Sequence, residues 1–299
     1  MGIAFEASAA SHDETTSLHY LKWQKVYEKV KPYQVFITDI PDNEDFEDTN
    51  LVFEPYNDVA VHNIRGKEDS LSLDENGFIV KKHKFRLGDF SSQEKIVQEY
   101  LPEIEELYKS VVDDVDEVFI FDWRIRRNNM NAQLGKVLNL NDRIKVHLLP
   151  AQNVHVDQSP ATVIKRIKLQ LGDRADELLR GRVQVINVWR PLYDTVEDWP
   201  LALCDARSVQ DSDLIHVDHI RRHHAGEVMY ATHSPEHSWH YLHRQTPDEV
   251  LVFKNFDSAP DVKAKYCPHV SFKHASIRED APMRQSIEVR AFVFTYPKE

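Results

Sequence analysis

The triplet His155-Val156-Asp157 sets an imidazole and a carboxylate two residues apart. In a β-strand, residues i and i+2 project to the same face, so both groups would converge on one point. A second imidazole from a later strand would complete a two-histidine, one-carboxylate facial triad. Such a triad holds Fe(II) and leaves coordination positions open for a co-substrate and dioxygen. The triplet alone is a weak signal in a chain with 16 histidines, and His216-Val217-Asp218 repeats its spelling.

Strand order separates the two copies. A double-stranded β-helix carries this triplet near its second strand and the distal histidine near its seventh. Five candidate strands lie between His155 and His269, whereas only three remain after His216. His216 also falls in DLIHVDHIRRHH, which reads as an exposed polar turn. The distal candidates are His233, His237, His240, His243, His269 and His274. His269 stands out because it follows Pro268 and opens an apolar strand. In the next strand Arg284, Ser286, Glu288 and Arg290 share one face by period-two alternation. A guanidinium beside a metal is what a dicarboxylate co-substrate requires, because it binds carboxylate bidentately. Ser286 adds a hydroxyl donor. Arg290 is a second possible anchor, although Arg290 beside Glu288 also reads as a surface ion pair.

The elements that must hold these residues are mostly strands. The stretches 182–192, 201–209, 226–234, 238–244, 248–256, 269–274 and 284–296 each read as a strand after one amphipathic helix over 160–179. Closely spaced strands after a single helix do not resemble a βαβ array and point to a jelly roll or barrel of two facing sheets. Upstream, 58–66 and 77–85 read as strands, 91–112 as a helix capped by Ser91 or Ser92, and 117–127 as a strand with a basic end. The fold expected is mainly β with α elaboration: a double-stranded β-helix core from about residue 145 with flanking helices. Residues 1–56 read as an N-terminal arm that begins with a short helical pattern at Leu21 to Val30, and 57–299 as a single domain.

Composition bounds the function. The chain has 299 residues, 41% of them hydrophobic, which supports a sizeable core and excludes wholesale disorder. A formal net charge of −12 argues against a nucleic-acid partner. No run approaches the length of a membrane span. Cys204 and Cys267 are too few for a disulfide framework, and a cytoplasmic setting is expected. No HExxH motif or cysteine-rich site points to zinc hydrolysis.

The blocks NVHVDQSP, VQVINVWRPL, PLALCDARSV, HSWHYLHRQTPDEVLVFKNFDS, CPHVSFKH and RQSIEVRAFVF, with NIRG and FDWRIRR upstream, resemble the fungal hydroxylase/desaturase family. That family includes gibberellin desaturase-like proteins and the bacterial CmcJ-like proteins of cephamycin biosynthesis. The resemblance implies an Fe(II)/2-oxoglutarate-dependent dioxygenase acting on a small secondary metabolite with dioxygen. It carries over as His155, Asp157 and His269 for iron, with Arg284 and Ser286 for the distal carboxylate of 2-oxoglutarate; Arg290 stays the alternative anchor. Arg190 reads as a substrate or co-substrate contact. Trp239 and Tyr241 share a strand face and are expected to line a substrate pocket, core packing being the plainer reading of both. Two rivals remain at this point. A cupin-type metalloenzyme without the keto acid would not need an inward Arg284, and a non-catalytic jelly-roll binding module would need no metal.

Overall fold

A computed structural model describes residues 12–36, 47–129, 143–144, 148–221 and 224–297. Fourteen strands are described: β1 (Glu14–Leu21), β2 (Tyr33–Val35), β3 (Phe53–Asn63), β4 (Phe78–Lys82), β5 (Glu117–Arg127), β6 (His155–Val156), β7 (Arg182–Pro191), β8 (Leu201–Cys204), β9 (Leu214–Arg221), β10 (His224–Ala231), β11 (Trp239–Tyr241), β12 (Glu249–Asp257), β13 (His269–Ser271) and β14 (Gln285–Thr295). They form a nine-stranded sheet ordered β1-β3-β11-β8-β13-β6-β10-β9-β2 and a five-stranded sheet ordered β4-β12-β7-β14-β5. This is the jelly roll that the strand count predicts.

Three cores fill it. Helix α1 (Gln93–Lys95) runs through a π-type turn at Ile96–Tyr100 into α2 (Leu101–Val111). Its start is capped as expected, Ser92 Oγ accepting from Lys95 N at 3.3 Å. The buried stripe Ile104, Leu107 and Tyr108 packs on the outer face of the five-stranded sheet, where Ile186, Val188, Ile287 and Val289 point. Between the sheets lie Phe78, Trp189, Leu203, Leu251 and Phe253, with α3 (Pro160–Leu171) closing one end through Val163 and Ile167. A third cluster covers the opposite face of the large sheet with Tyr20, Val61, Cys204, Trp239, Tyr241 and Phe272. The large sheet therefore buries both faces. It can do so because it curls until β1 meets β6, Val154 N donating to His19 O at 2.9 Å.

Four expectations need correction. The helical pattern around Leu21 to Val30 is a strand followed by a short 3₁₀ turn, Lys25–Glu28. Residues expected as a separate arm supply β1, β2 and the start of β3, and β1 pairs with β3 within the large sheet. The acidic stretch from Asp42 to residue 46 lies outside the described residues. The core also draws on β4 and β5, well before residue 145. Finally, the run containing His216 is strand β9, not a turn.

Elsewhere Lys254 is fully buried and pairs with Asp257 and Asp74 at 2.5 Å each. Cys204 and Cys267 are buried free thiols. No helix among the described residues is long and apolar enough to cross a membrane.

Gly181, between α3 and β7, has no room for a side chain: an added Cβ would lie 2.1 Å from Thr295 O. Gly181→Ala should cost about 1–3 kcal/mol in thermal or urea melts. Gly88→Ala, where nothing lies within 4 Å, should leave stability unchanged or slightly raised.

Candidate metal centre

His155 and His269 are register partners on β6 and β13, so their side chains leave the same face of the large sheet, toward the smaller one. Their ring centroids lie 4.3 Å apart. Asp157 follows β6 and shares that face. His155 Nε2 stands 3.8 Å from Asp157 Oδ1, and His269 Nε2 stands 3.8 Å from Asp157 Oδ2. The ligand atoms of all three lie within 4.8 Å of one another, the one such group among the described residues.

Tautomers are set by the backbone. His155 Nδ1 donates to Asn153 O at 2.8 Å and His269 Nδ1 to Cys267 O at 3.1 Å. Both Nε2 atoms are left as bare lone pairs facing the carboxylate, the arrangement a metal needs. His269 Nε2 is buried and has no hydrogen-bond partner. An unpaired buried acceptor is costly, and a divalent cation satisfies it. Burial, reinforced by the neighbouring His269 ring, pushes His155 down to about 4, and burial also lowers His269. Both rings are thus neutral and ready to ligate near pH 7.

Asp157 is held ionised from the opposite sheet. Asn187 Nδ2 donates to Oδ2 at 2.7 Å and Arg290 Nη2 to Oδ1 at 2.9 Å. Burial alone would raise this carboxyl, but Arg290, the two histidines and Asn187 hold it well below the usual carboxylate range. Its backbone N–H donates to Asn255 Oδ1 at 2.9 Å.

Further along the same cleft Arg284 is buried. Its Nη1 donates to Ser271 Oγ at 2.8 Å and Trp199 O at 2.6 Å, and the guanidinium lies 5.4 Å from the Trp189 ring. Its Nε and Nη2 have no partner, nor does Ser286 Oγ. Burial, with Arg126 nearby, pulls Arg284 down to about 9. A buried cation with two free donors beside a free hydroxyl is built to meet an anion.

Arg290 stands differently. Besides Asp157 it meets Glu288 at 2.5 Å and Asp122 at 3.4 Å, so three carboxylates already occupy it. Arg190 is turned away from the metal centre: it lies under the helix over the Phe85 ring at 4.2 Å and donates to Tyr100 Oη and Pro247 O. Trp239 and Tyr241 point into the core behind the large sheet, because Trp239 pairs with Cys204 whereas His269 pairs with Leu203. They pack, and do not line this centre. His216 is exposed and binds Glu227 at 2.8 Å, away from the triad. Asn255 and Asp122 carry no motif. Their one sequence signal is a polar residue inside an apolar strand run, NF after VFK and D after FIF.

Comparison with known proteins finds relatives over most of the chain. A family profile described as an oxidoreductase/YMDC permease-like domain matches residues 18–294. An Fe(II)/2-oxoglutarate-dependent dioxygenase, nvfI of Aspergillus novofumigatus, is 32% identical over 250 residues, covering 79% of this chain and 82% of that protein. A hydroxylase/desaturase, efuI of Hormonema carpetanum, is 32% identical over 260 residues, covering 81% and 84%. Among solved structures, the iron and alpha-ketoglutarate-dependent endoperoxidase NvfI superposes with a TM-score of 0.81 at 28% identity, covering 97% of this chain and 100% of that one.

His155→Ala, Asp157→Ala and His269→Ala should each abolish binding of Co(II) as an iron surrogate, measured by calorimetry, while His216→Ala should not. Asn187→Leu should weaken it by about 10- to 100-fold, since it removes only a donor to a ligand. Trp239→Ala should cost roughly 3–5 kcal/mol of stability, as a core residue does, and leave Co(II) affinity intact in the folded fraction.

Proposed function

The chain belongs to the fungal hydroxylase/desaturase family of Fe(II)/2-oxoglutarate-dependent dioxygenases, and we propose that it oxidises a small secondary metabolite by hydroxylation, desaturation or ring closure. The observation that carries this reading is the pair of Nε2 lone pairs aimed at an ionised Asp157, that of His269 buried and without a hydrogen-bond partner. His155, Asp157 and His269 would hold Fe(II). Iron with 2-oxoglutarate and dioxygen supplies an oxidant able to take hydrogen from an unactivated carbon.

The protein's own residues bind, orient and keep the cleft dry. Arg284 receives the distal carboxylate of 2-oxoglutarate through its free Nε and Nη2, and Ser286 Oγ donates beside it. Ser271, which steadies Arg284, stands two residues beyond His269, about 7 Å along the same face. A five-carbon dicarboxylate spans such a gap. Arg290 and Asn187 keep Asp157 charged and correctly turned. Phe253, its ring 4.7 Å from His269, and Trp189 wall the cleft against water. A metal enzyme without the keto acid leaves the orphaned donors of Arg284 unexplained, and a metal-free binding module leaves the triad unexplained. The buried free thiols fit a reducing cytoplasm.

Arg284→Gln should raise the 2-oxoglutarate concentration needed for succinate formation by roughly 30-fold to several thousand-fold, the cost of a lost charged bidentate contact. Arg290→Gln should act instead through Asp157, weakening Co(II) binding and changing the 2-oxoglutarate requirement less. A larger keto-acid effect from Arg290→Gln would move the anchor there. No succinate from the wild type with any candidate substrate would end the 2-oxoglutarate reading.

A further inference from the structure

Arg126 lies at the basic end of β5 and carries no motif, yet strand register places it in the cleft. It is the partner of Ser286 across the β5–β14 ladder, as Arg124 is of Glu288 and Asp122 of Arg290. Partners share a face of the sheet. The bonds from Arg290 to Asp122 and Asp157 show that this face is the one turned to the triad. Trp123 and Ile125, which alternate with these residues, pack under the helix instead. The pairing continues past the strand end, where Asn128 N donates to Arg284 O at 3.0 Å. Arg126 therefore runs beside both residues assigned to the distal carboxylate.

Its guanidinium is held from outside the ladder. The segment 148–151 crosses from β5 to β13: Arg127 N donates to Leu148 O at 3.0 Å, and Ser271 N donates to Ala151 O at 2.7 Å. Within that crossing, Arg126 Nη1 donates to Leu149 O at 2.8 Å. One segment thus steadies Arg126 directly and Arg284 through Ser271. The charge of Arg126 reaches both ends of the cleft. Burial lowers His155, His269 and Arg284, and Arg126 adds to the shift in all three. A guanidinium felt at the metal and at the keto-acid anchor stands between them. Glu288, the acid that acts on it most, is already bound by Arg290 at 2.5 Å.

We propose that Arg126 binds the carboxylate next to the keto group of 2-oxoglutarate, at the metal end of the cleft, while Arg284 holds the distal one. This rests on the iron and 2-oxoglutarate reading and adds a residue to it. The co-substrate brings two negative charges, and one guanidinium toward each end matches them. A carboxylate shared with a metal still has an oxygen to pair, and in a cleft walled from water that oxygen needs a protein donor. Arg126 is the donor placed for it, because Arg290 is occupied by Asp157, Glu288 and Asp122.

Two ligands separate the two carboxylates. Full-length protein is loaded with Co(II), whose binding is measured first in every variant. It is then titrated by calorimetry with 2-oxoglutarate and with 2-oxopentanoate, which keeps the keto-acid end and lacks the distal carboxylate. Arg126→Gln should weaken both ligands by about tenfold or more, the scale of a charge-assisted hydrogen bond. Arg284→Gln should weaken 2-oxoglutarate alone. Arg126→Lys keeps the charge but not the planar fork, and should weaken both ligands by about threefold or more. That variant carries the test if Arg126→Gln does not fold or bind Co(II). A loss confined to 2-oxoglutarate would put Arg126 at the distal carboxylate and overturn the proposal. Unchanged affinity for both ligands, or a wild type that binds 2-oxoglutarate but not 2-oxopentanoate, would overturn it too, and the keto-acid reading would stand. A Co(II)-loaded wild type that does not bind 2-oxoglutarate would overturn that reading and this one with it.

Discussion

Asp157 is the one ionised carboxylate on which the two sheets converge, and the geometry of the centre depends on it. A buried carboxylate is tolerated only when its charge is paired and its oxygens are hydrogen-bonded. Here each oxygen has its own donor, Asn187 on one and Arg290 on the other. Those two donors are direct register partners on β7 and β14. Strand β6, which presents the metal ligands, is only two residues long and could not fix a carboxylate by itself. Its partner across the cleft does so. A one-residue slip of β14 would put Val289 or Ala291 where Arg290 stands, and the carboxylate would lose its cation.

What prevents that slip is packing on the far side of the same strand. Strand β14 is buried along both faces: Ser286, Glu288 and Arg290 look into the cleft, while Ile287, Val289, Ala291 and Val293 lie in the core under the helix. Burial of four aliphatic side chains at roughly 25 cal/mol per Å² far exceeds the net contribution of any one cleft hydrogen bond. The apolar face therefore sets the register, and the polar face inherits it. Positions of Arg284, Ser286 and Arg290 relative to the metal ligands follow from strand pitch and not from the polar contacts themselves.

This arrangement explains which readings the sequence supported. His155 and Asp157 were legible because same-strand i, i+2 geometry is local, and His269 and Arg284 because strand order constrains a jelly roll. Trp239 and Tyr241 stayed open between pocket and core for a specific reason. Alternation says that two residues share a face but not which face, and polarity cannot decide when a curled sheet buries both. Arg190 fails by the same parity, since it alternates with Asn187 and Trp189 and so faces the helix. β1 was hidden because its partner β3 lies some 40 residues on and its own burial pattern is irregular. Asp122 and Asn255 act only through strands distant in sequence, and no spacing within their own strands announces them.

The elements divide the work in a way that bears on how relatives differ. The candidate metal ligands, the Asn187 donor and the distal keto-acid contacts proposed at Arg284 and Ser286 come from β6, β7, β13 and β14, all interior to their sheets. Arg124, Arg166 and Arg221 at the margin of the centre lie instead on β5, an edge strand of the smaller sheet, on α3, and at the end of β9 beside the edge strand of the larger sheet. Interior strands are bound by two ladders and two packed faces, so substitution there disturbs register and chemistry together. Rim positions answer to fewer neighbours and can change charge at small cost to the fold. Proteins 28% and 32% identical to this chain carry names as different as endoperoxidase and hydroxylase/desaturase. Such divergence fits a metal centre carried on interior strands with more freely substituted surroundings.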